Sequence, residues 1–347
     1  MSTTYLAKDK AEHPLPWASM VMPIHSCRNT IVKSLDGLYR QKVPWWCEVI
    51  FVCDTIKDDT LELIHNHPVA KTWEIVEISK PGRGLAEGYN MGWRAARYNL
   101  VFYMHSDCYP VTDDAMLQMK AWLDRENALA VMPLIDIPQD DWYSMNFWDR
   151  VTSSQFRNAK PAHGLSGKFD LFRRDGLEKI GGFDEKRFFS ASEDADMVEQ
   201  VNKVGKLAAS DVVVIHAHLH PPASRFTSVL RKQAQYGEGG GALIRKYMGS
   251  SDFLRRAFII LALNAVKLGL LFGVLFLWPI WWGLSVISLL LLLALASYYA
   301  RWAMLTKDWR SPLLPFAVSL MFSIYALSMI RGFIQGRQSF HYFKRTK

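Results

Sequence analysis

Two apolar runs each end in an aspartate: Glu48-Val-Ile-Phe-Val-Cys-Asp54 and Leu100-Val-Phe-Tyr-Met-His-Ser-Asp107. Both runs are rich in the β-branched and aromatic residues that favour strands, and both have the length of a buried strand. Segments with helical spacing lie beside them, at residues 29–41, 58–66 and 85–97. Strands that alternate with helices at such short intervals predict a parallel sheet covered by helices on both faces.

The two aspartates occupy the positions where a sheet of this kind binds its ligands. In open α/β sheets the ligand lies beyond the carboxyl ends of the strands. Asp54 and Asp107 directly follow predicted strands, so we expect both carboxylates to lie at the binding crevice. Two structural alternatives stay open, because Asp54 also suits the cap of the next helix and Asp107 suits a turn.

The composition favours some partners and excludes others. The chain has 347 residues and a net charge of +8, but its Lys and Arg gather beside the apolar C-terminal stretches and form no patterned stripe. This placement favours a membrane surface as partner and argues against nucleic acid. The 4 cysteines have no paired spacing, which argues against a zinc site and favours a reduced, cytosolic domain.

Three apolar stretches mark the C-terminal region, at residues 257–278, 280–300 and 313–330. Each approaches the roughly 20 residues needed to cross a bilayer, so we expect an α-helical, multi-pass membrane region with two or three crossings. No secretory signal opens the chain, which predicts that the α/β domain stays on the cytosolic side of the cell membrane. The expected organisation is a polar N-terminal segment (1–18), an α/β domain (19–225), an amphipathic, basic linker (226–256), transmembrane helices (257–335) and a basic tail (336–347).

Short motifs follow one another in a fixed order along residues 19–220. They are Pro23-Ile-His-Ser26, Val52-Cys-Asp-Thr-Ile-Lys-Asp58, Lys80-Pro-Gly-Arg-Gly84 with Asn90-Met-Gly92, His105-Ser-Asp-Cys-Tyr-Pro110, Phe172-Arg-Arg174, Gly181-Gly-Phe-Asp184 and Glu193-Asp-Ala-Asp196. In this order the motifs resemble those of family 2 glycosyltransferases. The resemblance implies an α/β GT-A fold, with a mixed sheet flanked by helices, and an enzyme that transfers a sugar from a nucleotide diphosphate with inversion.

The resemblance also implies a nucleotide site and a catalytic pair. It assigns nucleotide binding to Pro23, His25, Asp54, Arg83 and Asp107. It makes Asp194 the general base, with Glu193 assisting it or binding the acceptor, because an inverting transfer needs a base beside the acceptor hydroxyl. As a structural alternative, Ser192-Glu-Asp194 is also typical of a helix N-terminus with acids in its first turn.

A divalent cation, Mn²⁺ or Mg²⁺, is the expected cofactor. Hard cations prefer carboxylate oxygen, and a cation that bridges two phosphates offsets the charge of the leaving group. The resemblance places Asp107 in the metal-binding DXD motif of the family, where His105 replaces the first acid. We expect His105 either to bind the metal or to hydrogen-bond a phosphate, so the replacement indicates altered metal binding and not lost activity. It further implies that His216, or else His218 on the same predicted strand, completes the metal site; a structural role for either histidine stays open.

The pocket for donor and acceptor is expected to include Gly167, Arg174, Asp196 and Arg231. The basic segment 225–241 lacks the QxxRW signature of processive members, so transfer of a single sugar is favoured over chain synthesis. The expected donor is a nucleotide-sugar, with UDP favoured, and the expected acceptor is lipid-linked or otherwise membrane-associated.

A non-catalytic membrane scaffold is the alternative interpretation. Cys53 and His105 stand where the family carries acids, which supports a domain that kept the fold and lost the chemistry. The intact Glu193-Asp194 pair and Asp107 favour the enzyme.

Overall fold

The computed structural model describes residues 3–6, 18–43, 47–80, 82, 84–154, 157, 160–161, 164–217, 225–255, 258, 262, 265–266, 269, 282 and 307–339. The chain divides into two compact units. The first unit comprises Met1–Ser144 and Gln155–His220, and the second comprises Met145–Ser154 and Pro221–Lys347.

The first unit contains a mixed sheet whose strands are interspersed with helices along the chain. Its strands are β1 (Thr3–Leu6), β2 (Ala18–Ile24), β3 (Cys47–Asp54), β4 (Glu74–Lys80), β5 (Leu100–Tyr103), β6 (Cys108–Pro110), β7 (Ala130–Asp136), β8 (Lys160–Pro161), β9 (Asp170–Arg173) and β10 (Leu207–His216). The described helices of the chain include α1 (Ile31–Tyr39), α2 (Thr60–Asn66), α3 (Val69–Thr72), α4 (Leu85–Ala95), α5 (Ala115–Arg125), α6 (Gln139–Ser144), α7 (Phe147–Ser153), α8 (Arg174–Ile180), α9 (Glu193–Val204), α10 (Phe226–Tyr247) and α11 (Leu314–Gln335). Of these helices, α7, α10 and α11 belong to the second unit.

The strand order confirms the predicted mixed sheet. The order is β1-β4-β3-β2-β5-β9-β7-β10-β6, with β8 paired to β7. The neighbours β4, β3, β2 and β5 are parallel, as the alternation of strands and helices predicts. β9 is antiparallel to both β5 and β7, whereas β7 and β10 are again parallel.

Two apolar layers cover the two faces of the sheet. Along β2, Met20 and Met22 belong to one buried cluster and Val21 to the other. β3 alternates in the same way, with Phe51 in the first cluster and Val52 in the second. Successive side chains of a strand point to opposite faces, so this continuous apolar sequence is what a sheet buried on both faces requires.

The second unit is built around the helix pair α10 and α11. Glycines allow the two backbones to approach closely, and a Cβ at Gly241 would lie 1.9 Å from the Met329 carbonyl oxygen. Between them Glu238 is fully buried, 3.3 Å from the guanidinium of Arg331. The segment 226–256, expected as a linker, therefore contributes a long packed helix.

Within the described ranges, no helix combines the length and the apolar character that a membrane crossing requires. The predicted stretches 257–278 and 280–300 lie almost entirely outside the described residues. The third stretch, 313–330, coincides with most of α11.

Candidate active site

The sheet collects several predicted site residues at one edge. Asp54 ends β3 and His216 ends β10. Asp107 lies in the turn between β5 and β6. Because β9 runs antiparallel to β5, Asp170 at its start lies at this same edge. The expected crevice at the carboxyl ends of the parallel strands is therefore lined by acids and imidazoles.

Asp107 and His216 form a candidate metal site. His216 Nε2 lies 3.2 Å from Asp107 Oδ2. Two adjacent ligands of an octahedral ion with bonds of about 2.1 Å are about 3.0 Å apart, so this spacing fits one cation. Burial alone would raise the pKa of Asp107, but the charge of His216 and its hydrogen bond hold that pKa below the usual range. The ionised carboxylate that results is the form that binds a cation.

Cys108 lies in the same cluster but is a poor metal ligand. Ligand atoms of His105, Asp107 and Cys108 lie within 4.8 Å of one another. Burial, followed by the negative charge of Asp107, raises the pKa of the Cys108 thiol well above its ordinary value. Hard cations prefer carboxylate oxygen to sulfur, so Asp107 is a better ligand than Cys108 for Mn²⁺ or Mg²⁺.

His105 is held in place by Tyr89. Tyr89 Oη lies 2.7 Å from His105 Nε2, and the Tyr89 side chain is buried. Gly167 has a φ of +67°, and a Cβ there would lie 1.8 Å from Tyr89 Oη, so both the backbone and the space require glycine. Burial, with the positive charge of Lys168 acting in the same direction, lowers the pKa of His105 to about 3 and keeps the ring neutral.

Glu193 and Asp194 open α9, where Glu193 is buried and Asp194 is half-buried. Ser192, which precedes them, has a left-handed φ of +67° that turns the chain into the helix. Asp194 Oδ1 accepts the N–H of Ala195 at 2.7 Å. Burial raises the pKa of Asp194, and burial followed by the charge of Asp194 raises the pKa of Glu193 to about 8. The pKa values of both carboxyl groups are therefore raised, and the pair retains a proton to higher pH than two solvated carboxyl groups would.

A buried carboxyl oxygen of Glu193 is left for a ligand. Among the described residues, no group lies within hydrogen-bond distance of Glu193 Oε2. A buried oxygen without a partner costs about 1–3 kcal/mol, which a hydroxyl group of a bound sugar would offset.

Lys168 and Asp170 belong to this site, although sequence reasoning missed them. Asp170 Oδ2 accepts the N–H groups of Ser166 and Gly167 at 2.7 and 2.6 Å, which closes a tight turn around Lys168. Burial raises the pKa of Asp170 to about 7, against the opposing effect of those two hydrogen bonds. The one usable signal in the sequence was a lysine directly after a turn glycine, followed by an acid at the head of an apolar strand.

The positive charge of Lys168 acts on both parts of the site, the candidate metal ligands and the candidate base. It favours the ionised form of the surrounding carboxyl groups, namely Asp107, Asp170, Glu193 and Asp194. Lys168 is therefore close enough to act on both the candidate metal ligands and the candidate base.

The predicted nucleotide residues lie at the ends of β2 and β3. His25 Nδ1 lies 2.6 Å from the Asp54 carbonyl oxygen, which ties the two strand ends together. Pro23 pairs with Val52 between the same strands. A Cβ at Gly82 would lie 3.3 Å from Asp54 Oδ1, so the glycine turn passes close to that carboxylate. Arg83 and His218 lie outside the described residues.

The structure does not bring Arg174 to the site, and its predicted place in the pocket is corrected. β9 starts at the site with Asp170, and its other end pairs Arg173 with Leu100, at the opposite edge of the sheet. There the Arg174 guanidinium lies 3.1 Å from Glu178, one turn along α8. The antiparallel direction of β9 thus carries Arg174 away from the site.

The two remaining predicted pocket residues, Asp196 and Arg231, lie on helices α9 and α10. Asp196 is fully buried and accepts the side-chain N–H of Gln200 at 2.7 Å within α9. Arg231 is exposed on α10, in the second unit.

The Asn90-x-Gly92 motif fixes the scaffold behind the site. Asn90 Nδ2 donates to the Phe183 carbonyl oxygen and Asn90 Oδ1 accepts the Phe183 N–H, both at 2.8 Å. Gly92 packs so closely that a Cβ would lie 2.1 Å from Val21. The motif thus joins α4 to the glycine turn after α8 and to β2.

Comparison with known proteins agrees with this geometry. Residues 19–181 match the family described as glycosyl transferase family 2. Over 220 residues the chain is 26% identical to chondroitin synthase of Pasteurella multocida (strain Pm70), covering 61% of this chain and 22% of that protein. It is likewise 26% identical over 220 residues to hyaluronan synthase of Pasteurella multocida, covering 61% of this chain and 21% of that protein. The chain therefore spans only about one fifth of the length of these relatives.

A solved structure shares the fold. The mannosyltransferase PcManGT from Pyrobaculum calidifontis, in complex with GDP-Man and Mn²⁺, matches with a TM-score of 0.56 and 18% identity, covering 92% of this chain and 87% of that chain. Residues 19–181 thus match the glycosyltransferase family 2 domain that the order of the motifs predicts, and the solved structure supports the predicted α/β fold.

Proposed function

We propose that this chain, whose residues 19–181 match a family 2 glycosyltransferase domain, moves a single sugar from a nucleotide-diphosphate sugar to an acceptor with inversion. One observation carries the proposal. The same edge of the sheet holds an ionised Asp107 beside His216, and the charge of Lys168 acts both on that pair and on Glu193 and Asp194.

Asp194 is the general base of the proposed reaction. It takes the proton of the acceptor hydroxyl while the acceptor oxygen forms a bond to the anomeric carbon of the donor sugar. The bond from that carbon to the phosphate oxygen breaks on the opposite face, and its electron pair leaves with the nucleoside diphosphate. Glu193, whose pKa is raised by burial, is placed to hold a sugar hydroxyl with Oε2, which has no hydrogen-bond partner in the described part of the chain.

Asp107 and His216 are the residues that would hold a divalent cation. The donor set of one carboxylate and one imidazole suits Mn²⁺ better than Mg²⁺, because Mg²⁺ prefers oxygen ligands. When bound, the cation supplies positive charge to the two phosphates of the leaving group. Lys168 adds a fixed positive charge of the chain's own in the same region.

UDP is the favoured donor nucleotide. The Asp54 carboxylate at the end of β3 is placed to accept the imide N–H of uracil, and the closely passing Gly82 turn limits the space beside it. A guanine presents a different donor edge to the same carboxylate, so GDP-sugars belong in every test.

The acceptor is proposed to be lipid-linked or otherwise membrane-associated, at the cytosolic face of the cell membrane. The support is the run of apolar residues between 257 and 330, flanked by Lys and Arg on both sides. Flotation of the full chain with anionic vesicles tests this part separately from the chemistry.

Donor turnover by the detergent-purified full chain tests the function. UDP-, GDP- and dTDP-sugars are supplied with Mn²⁺, Mg²⁺ or a chelator, with and without polyprenyl phosphate. We expect metal-dependent release of UDP that increases with the acceptor. If no nucleotide is either bound or released from any donor, the scaffold interpretation replaces the enzyme.

A further inference from the structure

The contact between Tyr89 and His105 determines which hydrogen-bonding face His105 offers to the site. Tyr89 Oη lies 2.7 Å from His105 Nε2, and the two rings lie nearly parallel, 9° apart. Gly167 leaves Tyr89 little freedom, because a Cβ would fall 1.8 Å from its hydroxyl and 3.0 Å from His105 Nε2. The tight turn closed by Asp170 keeps Gly167 in that position.

The hydroxyl hydrogen of Tyr89 decides the tautomer. A buried hydroxyl needs an acceptor for its hydrogen. In the described part of the chain, His105 Nε2 is the group within hydrogen-bond distance of Tyr89 Oη. A neutral imidazole has one donor and one acceptor nitrogen, so a ring that accepts at Nε2 carries its hydrogen on Nδ1.

A nitrogen that carries a hydrogen has no lone pair for a metal. With Nε2 accepting from Tyr89 and Nδ1 protonated, neither nitrogen of His105 is free to ligate a cation. Asp107 and His216, 3.2 Å apart, do not need it, because their spacing already fits two ligands of one ion.

We propose that Tyr89 is a positioning residue that fixes the Nδ1–H tautomer of His105. His105 then donates a hydrogen bond to a diphosphate oxygen of the donor, and the cation is held by Asp107 and His216. The inference rests on the proposed function, since it concerns the nucleotide and metal of that site. In this arrangement the histidine that replaces the first acid of the DXD motif binds the donor diphosphate and is not a metal ligand.

Pulsed electron paramagnetic resonance of the Mn²⁺–UDP complex of the full chain tests the metal part. Nitrogen coupling to Mn²⁺ reports imidazole ligands directly and does not depend on turnover. We expect coupling in the wild type, its survival in His105→Asn, and its loss in His216→Gln. Loss in His105→Asn with survival in His216→Gln overturns the proposal and makes His105 the ligand.

UDP affinity in the presence of a chelator tests the donor part. Removing the hydrogen bond in His105→Leu should weaken UDP binding about tenfold, and His105→Asn, whose amide keeps an N–H, should restore much of it. Tyr89→Phe should weaken binding in the same direction, whereas Tyr39→Phe, on the exposed side of α1, should not. Melting temperatures identify any variant that fails to fold, in which case His105→Asn carries the test.

The outcomes separate the two proposals. If the wild type binds UDP and turns over donor but all His105 variants bind UDP equally well, the tautomer proposal is wrong and the proposed function stands. If the wild type itself binds no nucleotide, the proposed function fails with it.

Discussion

Replacing Gly167 with alanine tests whether the turn around Lys168 positions the site. The residue has a φ of +67°, which costs a residue with a Cβ about 1–2 kcal/mol. The new Cβ would also lie 1.8 Å from Tyr89 Oη, so the hydroxyl must move out of reach of His105. A buried hydroxyl without a partner costs about 1–3 kcal/mol more. Together these effects predict a loss of about 2–5 kcal/mol in the free energy of unfolding.

Gly181→Ala is the matched control, because it isolates the backbone cost. Gly181 has a φ of +82°, and a Cβ there meets nothing within 4 Å. We expect Gly167→Ala to melt lower than Gly181→Ala by about 2–12 °C, because the remaining cost of about 1–3 kcal/mol corresponds to about 2–4 °C per kcal/mol for a domain of this size. Gly167→Ala should also weaken UDP binding, whereas Gly181→Ala should leave it unchanged. Equal melting temperatures and equal UDP affinities for the two variants would refute the role assigned to this turn.

Three further predictions follow from the geometry. Lys168→Met removes a positive charge near Asp194 and so raises the pKa of Asp194, which should move the acid limb of the pH profile of kcat to higher pH. Lys179→Met, at an exposed lysine, should leave that limb in place. An acid limb that does not move in Lys168→Met would contradict the effect of Lys168 on Asp194. Arg174→Ala should lower the melting temperature without changing the KM for the donor, and a raised KM would restore Arg174 to the pocket. Asn90→Ala leaves buried backbone groups unpaired and should cost about 2 kcal/mol or more in unfolding free energy, with a loss near zero counting against the motif's structural role.

The sign of the pH dependence follows from burial. Burial raises the pKa of Asp194 above that of an exposed aspartate, so the base loses its charge at a higher pH as the solution is acidified. Activity is therefore expected to fall with decreasing pH earlier than for a solvated carboxylate, and Lys168 opposes this shift.

Local patterns in the sequence were sufficient to predict the parallel strands β2, β3, β4 and β5. The apolar run that became β3 and the helical spacing that became α1 are decided by neighbours in the chain. The direction of β9 is not decided by its neighbours in the chain, because it depends on which strands flank β9 in the sheet. This is why Arg174 was expected at the site while Asp170, at the other end of the same strand, was missed.

The motif residues Asp107 and His216 lie far apart in the chain, yet the fold brings them to 3.2 Å. Resemblance to a family anticipated that meeting, since the motifs follow one another in order. The hydrogen bond from Tyr89 to His105 had no such precursor in the sequence. Tyr89 lies on an ordinary amphipathic helix, and only the packing of the Gly167 turn shows what its hydroxyl contacts.

Single-turnover kinetics of Asp194→Asn test whether Asp194 is the base of a sugar transfer. The assay uses UDP-sugar and acceptor, with Asp175→Asn, an exposed acid of α8, as the control. We expect the single-turnover rate constant to fall about 10²- to 10⁴-fold for Asp194→Asn, with UDP affinity unchanged and the control unaffected. Full turnover by Asp194→Asn, or a loss of UDP binding that accounts for the whole effect, would contradict it.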